Sequence, residues 1–293
     1  MVLKRSENHL YSIEDGGDYF YALSNYDDAK NFKVMRLEKD GFQNINNWEE
    51  VIEVRDTHYI EDMLTFNEFI VIQSRYDGIP IIEVFNFANN SLNQIDMKDE
   101  VYDLGLVYNN NFDSSFFRYS YSSLKTSPQI LKYDLYDNTN NVIWKKQVNN
   151  FIDTDYEIKR IKTLARDDTN VPVSIVYKKG LDLKNAPMLI YGYGSYGINM
   201  DSGFRASIVP LLERGFIFAI AQIRGGSDLG REWYEDGRML NKKNTFNDFI
   251  DATKFLIENG ADINIKDKEV IATNNILVIF FMLFSFVIIC FNN

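Results

Sequence analysis

The sequence predicts two folds in succession, an antiparallel all-β region to about residue 150 and an α/β region after it. Three observations carry the prediction. The first half is built of short β-rich runs separated by turn formers, the second contains near-continuous apolar runs, and a helix with an apolar face follows those runs. With 293 residues, 45% of them hydrophobic and 15% aromatic, the chain can bury one large core or two modest ones.

In the first region the β-rich runs are, in order, Tyr19-Phe-Tyr-Ala-Leu23, Lys33-Val-Met-Arg-Leu37, Glu68-Phe-Ile-Val-Ile72, Ile81-Ile-Glu-Val-Phe85, Phe116-Phe-Arg-Tyr-Ser120, Ile130-Leu-Lys-Tyr-Asp134 and Val142-Ile-Trp144. Between them stand Asp15-Gly-Gly-Asp18, Lys39-Asp-Gly41, Asp77-Gly78, Asn89-Asn-Ser91 and Asp137-Asn-Thr-Asn140. Such residues form turns because they tolerate positive φ or bond their own backbone. A sandwich and a propeller give the same local signal, since both are made of hairpins. One recurrence points to blades: Val34-Met-Arg-Leu37, Glu83-Val-Phe-Asn86 and Lys132-Tyr-Asp-Leu135 return at blade-like intervals. Pattern alone leaves the two architectures open.

After Asp155, Val171-Pro-Val-Ser-Ile-Val-Tyr177, Pro187-Met-Leu-Ile-Tyr191 and Gly215-Phe-Ile-Phe-Ala-Ile-Ala-Gln-Ile223 read as strands buried on both faces. A helix is expected over Phe246–Asn259, capped by Asn244 or Thr245 and closed by Gly260. Phe246, Phe249, Ile250, Leu256 and Ile257 form its apolar stripe.

A net charge of −11 excludes sequence-independent nucleic-acid binding, which needs a surplus of Lys and Arg. The single cysteine, Cys290, excludes an internal disulfide framework. Met1-Val-Leu-Lys-Arg-Ser6 has no apolar core of a signal peptide, so the expected setting is cytoplasmic. Nothing in the sequence calls for a metal or a cofactor.

The run Tyr191-Gly-Tyr-Gly-Ser-Tyr-Gly197 has three readings. Gly192, Gly194 and Gly197 have dinucleotide-fingerprint spacing, but no amphipathic helix opens after them and the following strand ends on Arg224 rather than an acid. Ser195 lacks the preceding elbow glycine, because Tyr193 stands there. A loop rich in N–H groups after an early strand is also where α/β-hydrolases build part of an oxyanion hole, and this reading fits best. Arg224, Asp228 and Glu232 form a possible ionic cluster, read as stitching loops together. Trp233 and Tyr234 are expected to pack, and Asp236 and Asp248 to brace the turn before the helix.

Together, His9-x-Tyr11-Ser12, Ser122-Ser-Leu-Lys-Thr-Ser-Pro128, Val171–Tyr177, Tyr191–Gly197, Arg224–Gly230, Trp233–Gly237 and Lys242-Lys-Asn-Thr-Phe-Asn-Asp248 resemble the prolyl oligopeptidase family of serine peptidases, and within it oligopeptidase B, from about Lys4 to Gly260. The resemblance implies a β-propeller portion of antiparallel blades over residues 1–150, the first part of an α/β-hydrolase domain over 151–268, and a divergent apolar tail over 269–293. It implies cleavage of short peptides after Arg or Lys. By the same resemblance, Tyr193 is the tyrosine whose phenol helps hold the oxyanion, and Asp201 is an acid that meets a basic substrate side chain. The family carries a second acid two positions later, where this chain has Gly203.

The catalytic triad itself is missing from the sequence. In α/β-hydrolases its order along the chain is serine, acid, histidine, yet both histidines, His9 and His58, precede every α/β strand. Glu269-Val-Ile-Ala-Thr273 reads as the strand before the nucleophile, but Asn274 and Asn275 follow it in place of a glycine-flanked serine, and Thr273 has no base to activate it. The expected function is therefore a fragment of an oligopeptidase B-like peptidase, inactive alone. The alternatives are a peptide-binding module tethered to a membrane through residues 276–291, or one half of a split peptidase completed by a complementing chain. As a helix, those uncharged residues would span roughly 24 Å, short of the ~30 Å of a bilayer core. A sheet ending after three or four strands also predicts an unpaired edge.

Overall fold

The computed structural model describes residues 8–109, 111–184 and 186–259, together with the backbone of 276–282 and 285–291. The β-rich region forms three four-stranded antiparallel sheets, each pairing its strands in chain order. The first comprises β1 (Tyr11–Gly16), β2 (Tyr19–Ser24), β3 (Lys33–Glu38) and β4 (Glu49–Ile52). The second comprises β5 (His58–Thr65), β6 (Phe69–Tyr76), β7 (Ile79–Asn86) and β8 (Ser91–Gln94). The third comprises β9 (Asp103–Leu106), β10 (Phe116–Ser122), β11 (Gln129–Asp134) and β12 (Thr139–Lys145).

These sheets are propeller blades, and the packing of β6 shows why they are not a sandwich. Ile70 and Ile72 pack with Tyr21, Leu23 and Val34 of the first blade, whereas Phe69 and Val71 pack with Tyr102, Leu104, Phe117 and Tyr119 of the third. With side chains alternating along the strand, both faces of the middle sheet are buried between neighbours, so the run Phe69–Ile72 is continuously apolar. The recurrent segments Val34–Leu37 and Glu83–Asn86 fall on β3 and β7, and Lys132–Leu135 falls at the end of β11 with Leu135 just beyond it, in each case the third strand of a blade.

The α/β region consists of β13 (Tyr156–Leu164), β14 (Asn170–Lys178), β15 (Met188–Gly192), α1 (Val209–Leu212), β16 (Ile217–Ala221), α2 (Arg231–Glu235), α3 (Lys242–Asn259), β17 (Ile276–Met282) and β18 (Ser285–Phe291). Its sheet has the order β13-β14-β16-β15-β17-β18, with β15 parallel to both β16 and β17. One face packs against α3 through Val173, Ile175, Ile190, Ala219, Phe249 and Leu256. The other gathers Val176, Leu189, Phe218 and Ile220 with Leu212 of α1 and with Val101 and Leu124 from the propeller side. The two domains thus share apolar core.

Three expectations need correction. Helix α3 begins at Lys242, so Asn244 and Thr245 lie within it, and the Thr245 hydroxyl donates instead to the carbonyls of Arg224 at 2.7 Å and Gly237 at 3.0 Å. Its buried side chains are Thr245, Asp248, Phe249, Ala252, Thr253 and Leu256, while Phe246 and Ile250 are exposed at the rim. The expected sheet edge does not fall at β15, because β17 pairs along it and β18 turns back antiparallel. The tail is therefore extended over 276–282 and 285–291, where a helical span was weighed. Among the described residues no helix is long and apolar enough to cross a membrane. Gly260, the strand read over 269–273 and its Asn274-Asn275 turn lie outside the described residues.

Candidate functional site

The loop leaving β15, the third strand of its sheet in chain order, carries both candidate residues, Tyr193 and Asp201. Its glycines are explained by close packing. Gly194 has φ +60, and a Cβ there would lie 2.5 Å from Thr245 and 2.8 Å from the Arg224 carbonyl; at Gly225, φ +101, it would lie 2.1 Å from the Gly194 oxygen. The Gly197 amide donates to the Gly225 carbonyl at 3.0 Å, so the loop lies directly on the segment that begins at Arg224. This is close packing of chain on chain. The helix start that a pyrophosphate site requires does not follow, since the next helix is α1 at Val209.

Arg224 secures that segment. Its guanidinium donates to Asp248 on α3 (Nη2 to Oδ1, 2.6 Å) and pairs with Asp167 in the β13–β14 turn at 2.8 Å; the Asp248 side chain is wholly buried. The ring of Trp233 lies under the guanidinium. Lys242, at the start of α3, donates to Ser195 Oγ at 2.6 Å and to the Gly194 carbonyl, and burial holds its pKa below the ordinary lysine value. Tyr193 is half-buried and lies in the chain between β15 and Gly194, whose carbonyl Lys242 holds.

The expected ionic cluster separates into three unrelated contacts. Arg224 pairs with Asp248 and Asp167, Glu232 pairs with Lys30 of the first blade, and Asp228 is buried against Gln222. Asp248 consequently braces Arg224 and not the turn before α3. Asp236 ends α2, and its carbonyl accepts from Asn244. Trp233 packs in the core, and Tyr234 lies between the guanidinium groups of Arg231 and Arg238. His9 is bonded to Ser24, and His58 is stacked on Tyr76, both on the blades.

Asp201 is placed at the contact between the domains. Arg75 of β6 donates Nη1 and Nη2 to its two oxygens at 2.7 and 2.8 Å, and donates Nε to Glu61 at 2.6 Å. Burial opposes the charge on Arg75, but Asp201 and Glu61 outweigh it and raise the guanidinium pKa further. Asn199 links the same patch to the loop, donating to Glu61 at 2.6 Å and accepting from the Ser227 amide at 3.0 Å. A cavity of about 340 Å³ opens here, lined by Tyr11, Phe32, Tyr59, Glu61, Gly197 and Asn199.

A second tie engages the β6–β7 turn. Asp77 and Gly78 both have positive φ, as a tight hairpin turn requires, and the turn offers its carbonyls to the α/β sheet. Arg160 donates to the Asp77 carbonyl and Gln222 to that of Gly78 at 3.0 Å. Beneath them Asp228, 1% exposed, accepts from Gln222 and from the Met200 amide, and burial pushes its carboxyl up to about 7. Asp103, on β9, occupies the space beside Gly203, where a Cβ would lie 2.8 Å from its Oδ2; burial and then Asp201 push its pKa up to about 6. Among the described residues no group of three or more His, Cys, Asp or Glu side chains is arranged to hold a metal.

Sequence reasoning missed Arg75, Glu61, Asp103 and Asp167, and gave Lys242 no role of its own. Each acts through a partner remote in the chain, so no local spacing marks it. Ser195 and Lys242, 47 positions apart, are an example.

Comparison with known proteins gives a consistent picture. Residues 1–147 match the family model described as the prolyl oligopeptidase N-terminal beta-propeller domain, and residues 202–271 match the prolyl oligopeptidase family model. The chain is 34% identical over 262 residues to dipeptidyl aminopeptidase BI of Pseudoxanthomonas mexicana, covering 89% of this chain and 36% of that protein. It is likewise 34% identical over 260 residues to protease 2 of Moraxella lacunata, covering 88% of this chain and 37% of the relative. Among solved structures, oligopeptidase B from Leishmania major superposes with a TM-score of 0.82 at 31% identity, over 87% of this chain and 37% of that one. Oligopeptidase B from Trypanosoma brucei with covalently bound antipain, in a closed form, gives 0.82 at 32% identity over 89% and 38%. The chain thus spans little more than a third of the length of these relatives.

Proposed function

The chain belongs to the prolyl oligopeptidase family, and from that membership we propose that it is a portion of an oligopeptidase B-like serine peptidase acting on short basic peptides. In this reading residues 1–150 form propeller blades, 151–268 open the peptidase domain, and 269–293 are a diverged apolar segment; the setting is cytoplasmic. Tyr193 would offer its phenol to the oxyanion, on a loop already braced by the Arg224–Asp248 pair and Lys242. Asp201 would meet the basic side chain of the peptide.

These 293 residues do not supply the proton transfer that acyl transfer needs, and they are inactive on their own. The observation that carries this reading is the position of the two histidines: His9 and His58 are both engaged on the blades. Purified chain is expected to release no product from Arg- or Lys-peptide substrates and to take up no fluorophosphonate. Turnover that disappears in Ser195→Ala or Thr273→Ala would overturn it.

A second reading, that the chain retains affinity for basic peptides without cleaving them, is favoured by one observation. The Asp201 carboxylate already accepts a guanidinium in bidentate geometry.

A further inference from the structure

We infer that Arg75 is an internal competitor of the peptide, seated on Asp201 in the manner of a substrate guanidinium and displaced when an arginine side chain enters. This rests on the reading of Asp201 as the basic-side-chain site. The two Arg75–Asp201 bonds at 2.7 and 2.8 Å are the fork-on-fork arrangement by which carboxylates select guanidinium over ammonium. The occupant comes from the blade, 126 positions away, so the seat is filled only while the two domains are docked.

Access and charge both permit exchange. Arg75 is 3% exposed in its side chain, whereas Asp201 and Glu61 are 24% and 16% exposed, so the carboxylates present an open side with the arginine behind them. Carboxyl groups of Glu61, Asp201, Asp103 and Asp228 lie around the Arg75 guanidinium, with Arg205 also facing Asp103, and this excess of acids attracts a further cation to the patch. On leaving Asp201, Arg75 keeps its Nε bond to Glu61, which is itself fixed by Gln73 at 3.1 Å and Asn199 at 2.6 Å. The β6–β7 turn remains held by Arg160 and Gln222, so exchange does not require the domains to part.

The test is fluorescence anisotropy of a labelled peptide carrying two arginines, with a norleucine counterpart as control, titrated with the full 293-residue chain. Removing the competitor raises the competent fraction, so Arg75→Gln is expected to bind about 5- to 10-fold more tightly than the wild type, with no gain for the control. Arg75→Lys keeps the charge but not the fork, and is expected to lie between them. Asp201→Asn is expected to abolish binding in either background. Arg75→Gln that keeps its near-UV circular dichroism yet binds no tighter overturns the competition while leaving the Asp201 site intact. Binding that ignores Asp201→Asn, or no binding by any variant, removes the site reading and the competition with it. If Arg75→Gln does not fold, Arg75→Lys is judged by the same criterion, and if neither folds the arginine is a folding requirement and the inference is overturned.

Discussion

Arg224 and Arg75 are both buried arginines gripped by carboxylates, but one pair lies within the hydrolase domain and the other joins it to a blade. Arg224 meets Asp248, which lies on the buried side of α3 and has no exposed side-chain surface. Arg75 meets Asp201, which is 24% exposed, and also holds Glu61 through its Nε. A closed pair fixes a backbone crossing, here that of Gly194 with Gly225. An open pair whose carboxylate reaches solvent holds its surroundings while leaving room for a competing ligand.

The largest test breaks the closed pair. Asp248→Ala leaves Arg224 with only the exposed Asp167 as ionic partner and removes the acceptor of its amide, which donates to Asp248 Oδ2 at 3.0 Å, for an expected loss of about 3–5 kcal/mol. Trp233, beside Arg224, reports the change in urea unfolding once Trp48 and Trp144 are replaced by Phe. Asp201→Ala is expected to lose only about 1.5–3 kcal/mol, because Glu61 still accepts from Arg75. Equal losses would erase the contrast between the two pairs.

The next effect belongs to the acid buried between them. Asp228 has a folded pKa raised to about 7, so the folded state binds its proton more tightly than the unfolded chain does. Stability from this group is complete below the unfolded carboxylate pKa and is lost as pH rises through about 7. Asp228→Asn keeps an oxygen for the Met200 amide and cannot ionise. The variant should gain on the wild type between pH 4 and 8, to an upper bound of roughly 4 kcal/mol. Parallel stability curves for the two proteins over that range would show that Asp228 ionises without cost, and that the interface is wetter than its burial indicates.

What could be read from the sequence tracks how local each cause is. The three recurrent segments were visible because β3, β7 and β11 repeat the same place in successive blades, and repetition needs no knowledge of partners. The sheet strands were visible because burial on both faces leaves unbroken apolar runs such as Val171–Tyr177. The start of α3 was misplaced because Asn244 and Thr245 are good caps by type, yet Thr245 spends its hydroxyl on the Arg224 and Gly237 carbonyls, which local sequence does not disclose. Arg75 carried no signal at all. On a strand it reads as one polar residue after Gln73 and Ser74, and only the docking of two domains brings Asp201 to it. The motif glycines were legible as a group, but their purpose was not: three apparent ligand-loop residues prove to be points of close packing, Gly192 against the Phe249 ring, Gly194 against Thr245 and the Arg224 carbonyl, and Gly197 against Ser227.

The smallest expected effect sharpens the comparison from outside. Lys30 of the first blade meets Glu232 of α2 at 3.0 Å, and this pair also joins the two domains, but its side chains are 55% and 76% exposed. Water and salt screen such a contact, and ordering two long side chains offsets what attraction remains. Lys30→Ala should therefore leave the urea midpoint unchanged, at low salt and at high salt alike. A lowered midpoint that recovers with added salt would mean that surface charge takes a share in docking the domains. The Asp77-Gly78 turn and the Arg75 pair would then no longer account for the contact by themselves, and displacement of Arg75 by a peptide would be buffered by a third tie.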